Sequence, residues 1–304
     1  MKCLLIVNPT SGRKNIQATL HELIGKLVLK KVISSFEVFY TQGNRDAYQL
    51  LLTLAPHQYD LIISVGGDGT QSEVINGIID GKCDIPLYIL AAGTVNDLSR
   101  ALKIPEKHDD VVKTIAKFHQ IKMDVGKANH VYFANVLAGG MFTDIGFKVD
   151  KKKKAILGPF AYYLNAVLDL PNQLNSTMDL HIEIDGEIID EEAYMFLVTN
   201  SRLVGGFLLA SQADLCDGLL DLLVVKKCDI TDLIALSKDI LLNKHLDSPF
   251  IIYRQAKHIH LSSSKSITLD IDGEQANELP IDISVAPQAI KIITPKVKKI
   301  KSNR

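Results

Sequence analysis

The stretch Leu61-Ile62-Ile63-Ser64-Val65-Gly66-Gly67-Asp68-Gly69-Thr70 decides how this chain folds. An apolar, strand-like run stops at a glycine turn, and apolar residues at helical spacing follow over residues 74–79. Glycine lets backbone N–H groups approach an anion closely, and the N-terminus of the next helix adds a favourable dipole. The stretch therefore predicts a strand, a phosphate-binding turn and a helix.

Two other polar turns also follow apolar runs in the first half of the chain. They are Asn8-Pro9-Thr10-Ser11-Gly12 and Ala91-Ala92-Gly93-Thr94-Val95-Asn96-Asp97. Strand-like runs alternate with helical patterns through this half, which predicts a parallel sheet covered on both faces, a three-layer α/β domain. Because the carboxyl ends of parallel strands share one edge, we expect the three turns to lie together there. Taken singly, each turn could equally be an ordinary tight βα turn.

Beyond Asp124 the pattern changes to closely spaced β-like runs, broken by turns such as Asp185-Gly186 and Asp272-Gly273. One helical interlude, Gly158 to Leu170, interrupts them. These closely spaced β-like runs and turns predict an antiparallel β-rich, sandwich-like second domain. The expected division is residues 1–125, rejoined by 290–304, and residues 126–289.

The composition is that of a folded protein, with 47% hydrophobic and 23% charged residues. With 34 basic and 35 acidic residues the net charge is -1, so no global field favours nucleic acid or a bilayer. Four dispersed cysteines without a C-x-x-C pair fit a reducing cytosol, and no apolar run approaches the ~18 residues of a membrane span. The histidines lack paired ligand spacing, so a catalytic zinc has no support. We expect a cytoplasmic protein that does not bind nucleic acid.

Asp68 adds chemistry to the glycine turn. A carboxylate among phosphate-binding glycines repels the phosphates unless a cation stands between them, and Mg²⁺ is the cation such sites use. The segment is neither a G-x-x-x-x-G-K-[ST] loop nor a G-x-G-x-x-G fingerprint, which disfavours P-loop NTPases and dinucleotide-dependent oxidoreductases.

The three turns, in this order, resemble the diacylglycerol kinase catalytic family and its soluble bacterial lipid kinase branch. NAD kinases and 6-phosphofructokinases are related in fold and share the G-G-D-G turn. Two positions depart from the pattern: Ala91 stands where many relatives have proline, and Cys216 where they often carry a polar or acidic residue. The second half matches further landmarks in order: Asn200, Gly205-Gly206, residues 214–221 and Asp272-Gly273-Glu274.

The resemblance implies an ATP-dependent kinase of a lipid hydroxyl, with nucleotide on the first domain and the lipid acceptor on the second. It implies Glu274 as general base, with Asp272 close by, and leaves open which of the two acts. The residues that it implies for nucleotide binding are Asn8, Pro9, Thr10, Ser11, Gly12, Thr41, Gly66, Gly67, Asp68, Gly69, Thr70 and Thr94.

Two metal sites are expected. Asp214 and Asp217, with the backbone carbonyl of Leu219, suit a hard cation, and the resemblance implies a structural Mg²⁺ there. Asp124 could join Asp68 and Asp97 in holding the waters of a catalytic Mg²⁺, although Asp97 could instead be an N-terminal helix charge.

The lysine run Lys151 to Lys154 precedes an apolar, aromatic stretch and predicts peripheral contact with an anionic membrane, with solvated surface as the alternative. A homodimer is a further possible assembly. Diacylglycerol is the first choice of acceptor; a monoacylglycerol, a sphingoid base or an undecaprenol-like alcohol stays open. The rival functions are an NAD kinase and a non-catalytic regulator that binds nucleotide or lipid.

Overall fold

The computed structural model describes residues 1–11, 16–141 and 177–296 of the chain. Two features expected from the sequence lie outside these ranges: the Lys151 to Lys154 run and the helical interlude Gly158 to Leu170.

The chain divides into two compact units. One is Met1–Met123 with the segment that begins at Ile290, and the other is Asp124–Ala289. In the described ranges, no helix combines the length and the apolar character needed to cross a bilayer.

The first unit contains a parallel sheet with strand order β2-β1-β3-β4. The end of strand β17 (Ile281–Ile293) runs parallel to β4, with Ile292 opposite Leu87. The strand order reverses at β1, because the chain passes outward to β2 and then returns to β3 on the other side of β1. A crevice at the carboxyl ends of β1 and β3 follows from this reversal. The four strands are β1 (Lys2–Val7), β2 (Ser35–Tyr40), β3 (Leu61–Gly66) and β4 (Leu87–Ala91).

Helices cover both faces of this sheet. On one face, α1 and α5 pack Leu23, Leu27 and Val111 onto the strands. On the other, α3 packs against α2 so closely that a Cβ on Gly77 would lie 2.9 Å from the Leu51 side chain. The helices are α1 (Ile16–Leu29), α2 (Asp46–Leu52), α3 (Asp68–Asp80), α4 (Asp97–Ala101) and α5 (His108–Lys117). The expected three-layer α/β architecture is confirmed.

The second unit is antiparallel. Its strands run in the order β16-β15-β7-β9-β8-β14-β17, and β12 joins β9 to β13. The strands are β5 (Gln120–Ala128), β6 (Val131–Phe133), β7 (Val136–Gly140), β8 (Met178–Ile184), β9 (Glu187–Thr199), β10 (Leu203–Val204), β11 (Phe207–Leu208), β12 (Leu220–Lys226), β13 (Ile251–Ala256), β14 (His258–Ser263), β15 (Thr268–Ile271) and β16 (Glu274–Glu278). The β-rich class expected for this half is confirmed.

One helix of the second unit was not expected from the sequence. Helix α6 (Ile230–Leu241) packs Leu233, Leu236 and Ile240 onto residues of β12 and β13. A short 3₁₀ turn, His245–Asp247, follows it. The signal was present in the spacing of these three apolar residues, but β-like runs on either side masked it.

Candidate active site

The polar turns of the first unit begin in register at the carboxyl edge of its sheet. The ladder continues one residue past the strands, which holds each turn close to its neighbour. Three backbone hydrogen bonds do this: Asn8 N–H to Val65 O, Thr41 N–H to Val7 O and Ala92 N–H to Gly66 O, each 2.9 Å. The structure thus brings all three turns and the buried Thr41 to one edge.

Asn8 organises the first turn and ties it to the second. Its Oδ1 accepts hydrogen bonds from the backbone N–H and the hydroxyl of Thr10, at 3.0 and 2.8 Å. Its Nδ2 donates to Oγ1 of Thr70 at 3.1 Å, across the crevice between β1 and β3. Pro9 and Ser11 complete the turn, with Ser11 N–H donating to the Asn8 carbonyl. Gly12 lies outside the described residues.

Two of the glycines are required by close contacts, one between turns and one within the second turn. A Cβ on Gly93 would lie 2.6 Å from the Gly67 Cα, and a Cβ on Gly66 would lie 2.4 Å from the Thr70 Cβ. Gly69 differs, because a Cβ there would meet no atom within 4 Å, although the residue stands exposed in the first turn of α3. No packing contact in the described residues requires a glycine at that position, and a glycine there leaves the backbone open to close approach.

The carboxylate of Asp68 faces the third turn. Its Oδ2 accepts the backbone N–H of Asn96 at 2.8 Å. Burial raises the pKa of the Asp68 carboxyl, and backbone donors from Asn96, Asp97 and Leu98 oppose that rise. Asp68 therefore satisfies the N-terminal N–H groups of α4 as well as standing in the glycine turn.

Asn96 shapes the third turn from within. It occupies the left-handed region, with φ of 56°, and its side chain accepts the Gly93 N–H and donates to the Gly93 carbonyl, both at 2.8 Å. Thr94 is exposed at the tip of this turn. Asp97 is buried in the first turn of α4, the position expected for an N-terminal helix charge.

Asp124 belongs to the second unit, where it anchors the acidic loop, residues 214–219. Its carboxylate is fully buried and accepts the N–H groups of Gly218 at 2.7 Å and Gln288 at 2.6 Å. Its own N–H donates to the Leu215 carbonyl at 2.8 Å. The sequence pattern groups Asp124 with Asp68 and Asp97, whereas its hydrogen bonds in the fold connect it to Leu215 and Gly218.

The acidic loop concentrates negative charge. Asp214 accepts the Cys216 N–H at 3.1 Å, and Asp217 accepts the Leu219 N–H at 3.0 Å. Burial raises the pKa of Asp217, and the charges of Asp214 and Asp124 raise it further against the Leu219 bond. Burial and the same three carboxylates raise the pKa of the Cys216 thiol to about 11.

The donor set of this loop fits a hard cation by its chemistry, since carboxylate and carbonyl oxygens dominate it. Within the described residues, however, no three His, Cys, Asp or Glu side chains are arranged to hold a metal ion. A cation held by Asp214 and Asp217 would therefore need backbone carbonyl and water oxygens as further ligands.

The two candidate bases lie on one hairpin but in different surroundings. Asp272 and Gly273, with φ of 50° and 90°, form the two-residue turn between β15 and β16. The Asp272 carboxylate accepts three backbone N–H groups, from Ala134 at 2.8 Å, Asn135 at 3.0 Å and Val136 at 2.9 Å. Glu274 is exposed as the first residue of β16.

Two residues outside the expected site set prove to organise it. Asn200 is fully buried, and its Nδ2 donates to the carbonyls of Asp124 at 2.8 Å and Ala134 at 3.2 Å, linking β5 to the connection between β6 and β7 that Asp272 also holds. Glu73 accepts the N–H of Ala47 at 2.8 Å and so caps α2. The family pattern includes Asn200 but assigns it no role. The residues near Glu73 in sequence do not predict its hydrogen bond to another helix.

Known proteins match this chain over nearly its whole length. Residues 2–128 match the diacylglycerol kinase catalytic domain, and residues 138–294 match the YegS C-terminal NAD kinase beta sandwich-like domain. A diacylglycerol kinase of Staphylococcus carnosus is 34% identical over 96% of this chain and 94% of its own length. One from Staphylococcus haemolyticus is 35% identical over 97% of this chain and 89% of its own length.

Solved structures also match this chain over nearly its whole length. The crystal structure of a diacylglycerol kinase from Bacillus anthracis superposes with a TM-score of 0.76 at 29% identity and covers 97% of both chains. A second crystal structure from that organism gives a TM-score of 0.83 at 31% identity, again over 97% of both chains. Family membership implies ATP as co-substrate. The chain belongs to the diacylglycerol kinase family and is a lipid kinase of that family.

Proposed function

We propose that this kinase transfers the γ-phosphate of ATP to the free hydroxyl of diacylglycerol and so forms phosphatidic acid. The observation that best supports phosphate binding is the open space over Gly69 at the crevice between β1 and β3. The choice of diacylglycerol rests on the curated relatives, which are diacylglycerol kinases matching 96–97% of this chain.

The nucleotide phosphates are proposed to bind the backbone of the two turns that Asn8 and Thr70 join. N–H groups at the start of α3, around Gly69 and Thr70, would meet the phosphates with a favourable helix dipole. Thr41 and Thr94, at the ends of the adjacent turns, would add hydroxyl donors. The contact between Gly67 and Gly93 supports this assignment because it holds the second and third turns side by side at the carboxyl edge.

A divalent cation would be held near this edge through waters on Asp68 and Asp97. When bound, Mg²⁺ would neutralise charge that spreads over the transferring phosphoryl oxygens. Burial raises the pKa of the Asp68 carboxyl despite its backbone donors, and a nearby cation would favour the charged form. A water-mediated part for Asp124 stays a prediction. Asp214, Asp217 and the Leu219 carbonyl remain the proposed holders of a structural cation.

Glu274 is proposed as the general base, and Asp272 as the residue that positions it. The acceptor hydroxyl would give its proton to the Glu274 carboxylate while its oxygen bonds to the γ-phosphorus and the bond to the ADP oxygen breaks. Three backbone N–H groups already donate to the Asp272 carboxylate, which suits it to a positioning role. Glu274 is exposed and able to meet substrate.

The test is transfer of label from [γ-³²P]ATP to candidate acceptors in mixed detergent micelles, with chromatographic identification of the product. We expect labelled phosphatidic acid from diacylglycerol, and less product from monoacylglycerol, a sphingoid base or undecaprenol. NAD serves as the control for the related kinase fold. Labelled NADP without labelled lipid would overturn the proposal, and so would preferred labelling of another lipid; no transfer to anything would favour a regulator.

A further inference from the structure

Helix α6 has two apolar faces, only one of which the fold buries. Leu233, Leu236 and Ile240 pack inward on the sheet. Four large aliphatic side chains point to solvent along the same helix and its C-terminal cap, where a soluble surface would ordinarily be polar. They are Ile230, 43% exposed, Ile234, 49%, Leu241, 59%, and Leu242, 54%.

Three of these side chains form one stripe, and Leu242 adjoins its C-terminal end at the helix cap. At ~100° per residue, Ile234 and Leu241 lie within about 40° of Ile230 around the helix axis. The carboxylates of Asp232 and Asp239 lie within about 20° of the opposite side. The exposed apolar stripe is therefore free of acidic residues from its own helix.

Two lysines lie near the C-terminal half of the stripe, and one carboxylate, that of exposed Asp229 at the N-cap, adjoins its N-terminal end. Lys238, about 80° from Ile230 around the axis, and Lys244, just past the helix, are both exposed. Neither forms an ion pair with any residue in the described part of the chain. The lysines before the helix differ, because Lys226 pairs with Glu191 at 3.3 Å and Lys227 with Glu192 at 2.9 Å. An apolar stripe beside lysines that form no ion pair complements a layered partner, one with an apolar interior and negative charges on its surface.

We propose that this outer stripe of α6, formed by Ile230, Ile234, Leu241, Leu242, Lys238 and Lys244, docks on an anionic membrane. The inference rests on the proposed function, since a kinase whose acceptor lies in a bilayer must work at the bilayer surface. The aliphatic side chains would enter the boundary between headgroups and acyl chains, and the lysine ammonium groups would stay at the phosphate level. Each lysine near an anionic surface would strengthen binding about fivefold.

A single tryptophan can report the contact, because the natural chain has none. Ile234→Trp places the probe in the stripe. Ile188→Trp, at a β-strand position 64% exposed in the same unit, is the matched control. With vesicles of equal phosphatidylglycerol and phosphatidylcholine and no diacylglycerol, we expect a blue shift and quenching by brominated lipid at position 234 only. Equal responses at both positions, or none at 234, would overturn the proposal.

Vesicle sedimentation gives a second measurement on protein without a probe. Ile234→Glu should weaken binding to the same vesicles about tenfold or more, whereas Ile188→Glu should not. The double change of Lys238→Glu and Lys244→Glu should weaken binding to these vesicles but not the remaining binding to pure phosphatidylcholine. Lys257→Glu, an exposed lysine elsewhere in the unit, is its control. Equal losses in each pair would count against the stripe.

Two further readouts separate the alternatives. Activity on detergent-dispersed diacylglycerol tests the proposed function, while binding to vesicles that lack substrate tests the docking surface, so either can fail alone. If light scattering shows a dimer that Ile234→Glu dissociates, and the Ile234→Trp emission is already blue-shifted without vesicles, the stripe is an interface between copies and the membrane proposal is wrong.

Discussion

The Asp68 carboxylate accepts a hydrogen bond of 2.8 Å from the backbone N–H of Asn96, across 28 residues of sequence. Through this bond the second glycine turn holds the third, and the contact between Gly67 and Gly93 keeps their backbones together. The Asp68 side chain thus joins two turns at the edge of the sheet and, by the proposed function, also helps to hold a cation there. Substitutions can separate these two roles.

Asp68→Asn should lower both stability and activity. The amide keeps one acceptor oxygen but loses the charge, so the free energy of unfolding should fall by about 1–3 kcal/mol. If Asp68 also acts through a cation, the Mg²⁺ concentration for half-maximal activity should rise. Chemical denaturation and Mg²⁺ titration of the kinase reaction measure the two effects. A variant with reduced stability but an unchanged Mg²⁺ requirement would leave only the architectural role.

Gly69→Ala and Gly93→Ala should have opposite effects on stability. The methyl group at residue 69 meets nothing within 4 Å inside α3, so stability should hold or rise by about 1 kcal/mol. The methyl group at residue 93 would strike the Gly67 backbone, which should lower stability by about 1–3 kcal/mol.

The KM for ATP then distinguishes an effect on phosphate binding from an effect on stability. Gly69→Ala should raise it about tenfold, because the new methyl group occupies the space where the phosphates are proposed to lie, although the protein is at least as stable. Thermal melting and initial rates over a range of ATP concentrations are the measurements. A Gly69→Ala enzyme with an unchanged KM for ATP would remove Gly69 from the phosphate site.

Glu274→Gln should leave stability unchanged and lower kcat by about 100- to 10,000-fold, as expected on loss of a general base. Glu278→Gln, the same change at an exposed position of the same strand, should leave kcat within about twofold. Rates on micellar substrate and melting temperatures suffice. A folded Glu274→Gln enzyme with normal turnover would exclude Glu274 as the base.

Asp272→Asn should behave differently from Glu274→Gln. With a single acceptor oxygen, the amide cannot satisfy Ala134, Asn135 and Val136 together, and each donor left unsatisfied should lower stability by about 1–3 kcal/mol. Activity should fall along with the melting temperature. Loss of activity at full stability would instead make Asp272 the base.

Mg²⁺ should stabilise the nucleotide-free protein if the acidic loop holds a structural cation. At a hundredfold excess over its dissociation constant, the ion would add about 2.7 kcal/mol. Asp217→Asn should abolish this gain, whereas Asp229→Asn should keep it, since Asn replaces Asp equally well at the N-cap of α6. Melting curves with Mg²⁺ and with a chelator test the site. Identical curves for the wild-type protein would argue against it.

Asp221 should make stability fall as pH rises. Burial raises the pKa of this carboxyl to about 6, against hydrogen bonds from Tyr253 and Gln255. Because the folded pKa lies above the unfolded one, the contribution is full below about pH 4 and is lost as pH rises through 6, a change of about 1–3 kcal/mol.

Asp221→Asn isolates this contribution, because the amide imitates the protonated acid and still accepts from Tyr253 and Gln255. In the presence of a chelator, the variant should match the wild-type protein near pH 4 and exceed its stability near pH 7.5. Denaturant unfolding at both pH values is the measurement. A stability difference that does not change with pH would show that Asp221 does not titrate in this range.

The sequence by itself determined the order of strands, turns and helices in the first domain. Apolar runs that end at glycine turns, each followed by apolar residues at helical spacing, leave few choices other than a parallel sheet with its polar turns at one edge. The order of the motifs identified the family. The closely spaced β-like runs after Asp124 indicated the β-rich class of the second domain. These are local properties, readable from neighbouring residues.

Only the tertiary structure decided which turns touch and which backbone groups each carboxylate binds. The strand order puts Asn8 beside Thr70, brings the Asn96 N–H to Asp68, and ties Asp124 to the acidic loop at Gly218. It also separates Asp272, held by three N–H groups, from exposed Glu274 two residues away. Such bonds span 28 to 138 residues in sequence, and side-chain pattern alone does not specify them, because they depend on how distant strands are ordered and registered.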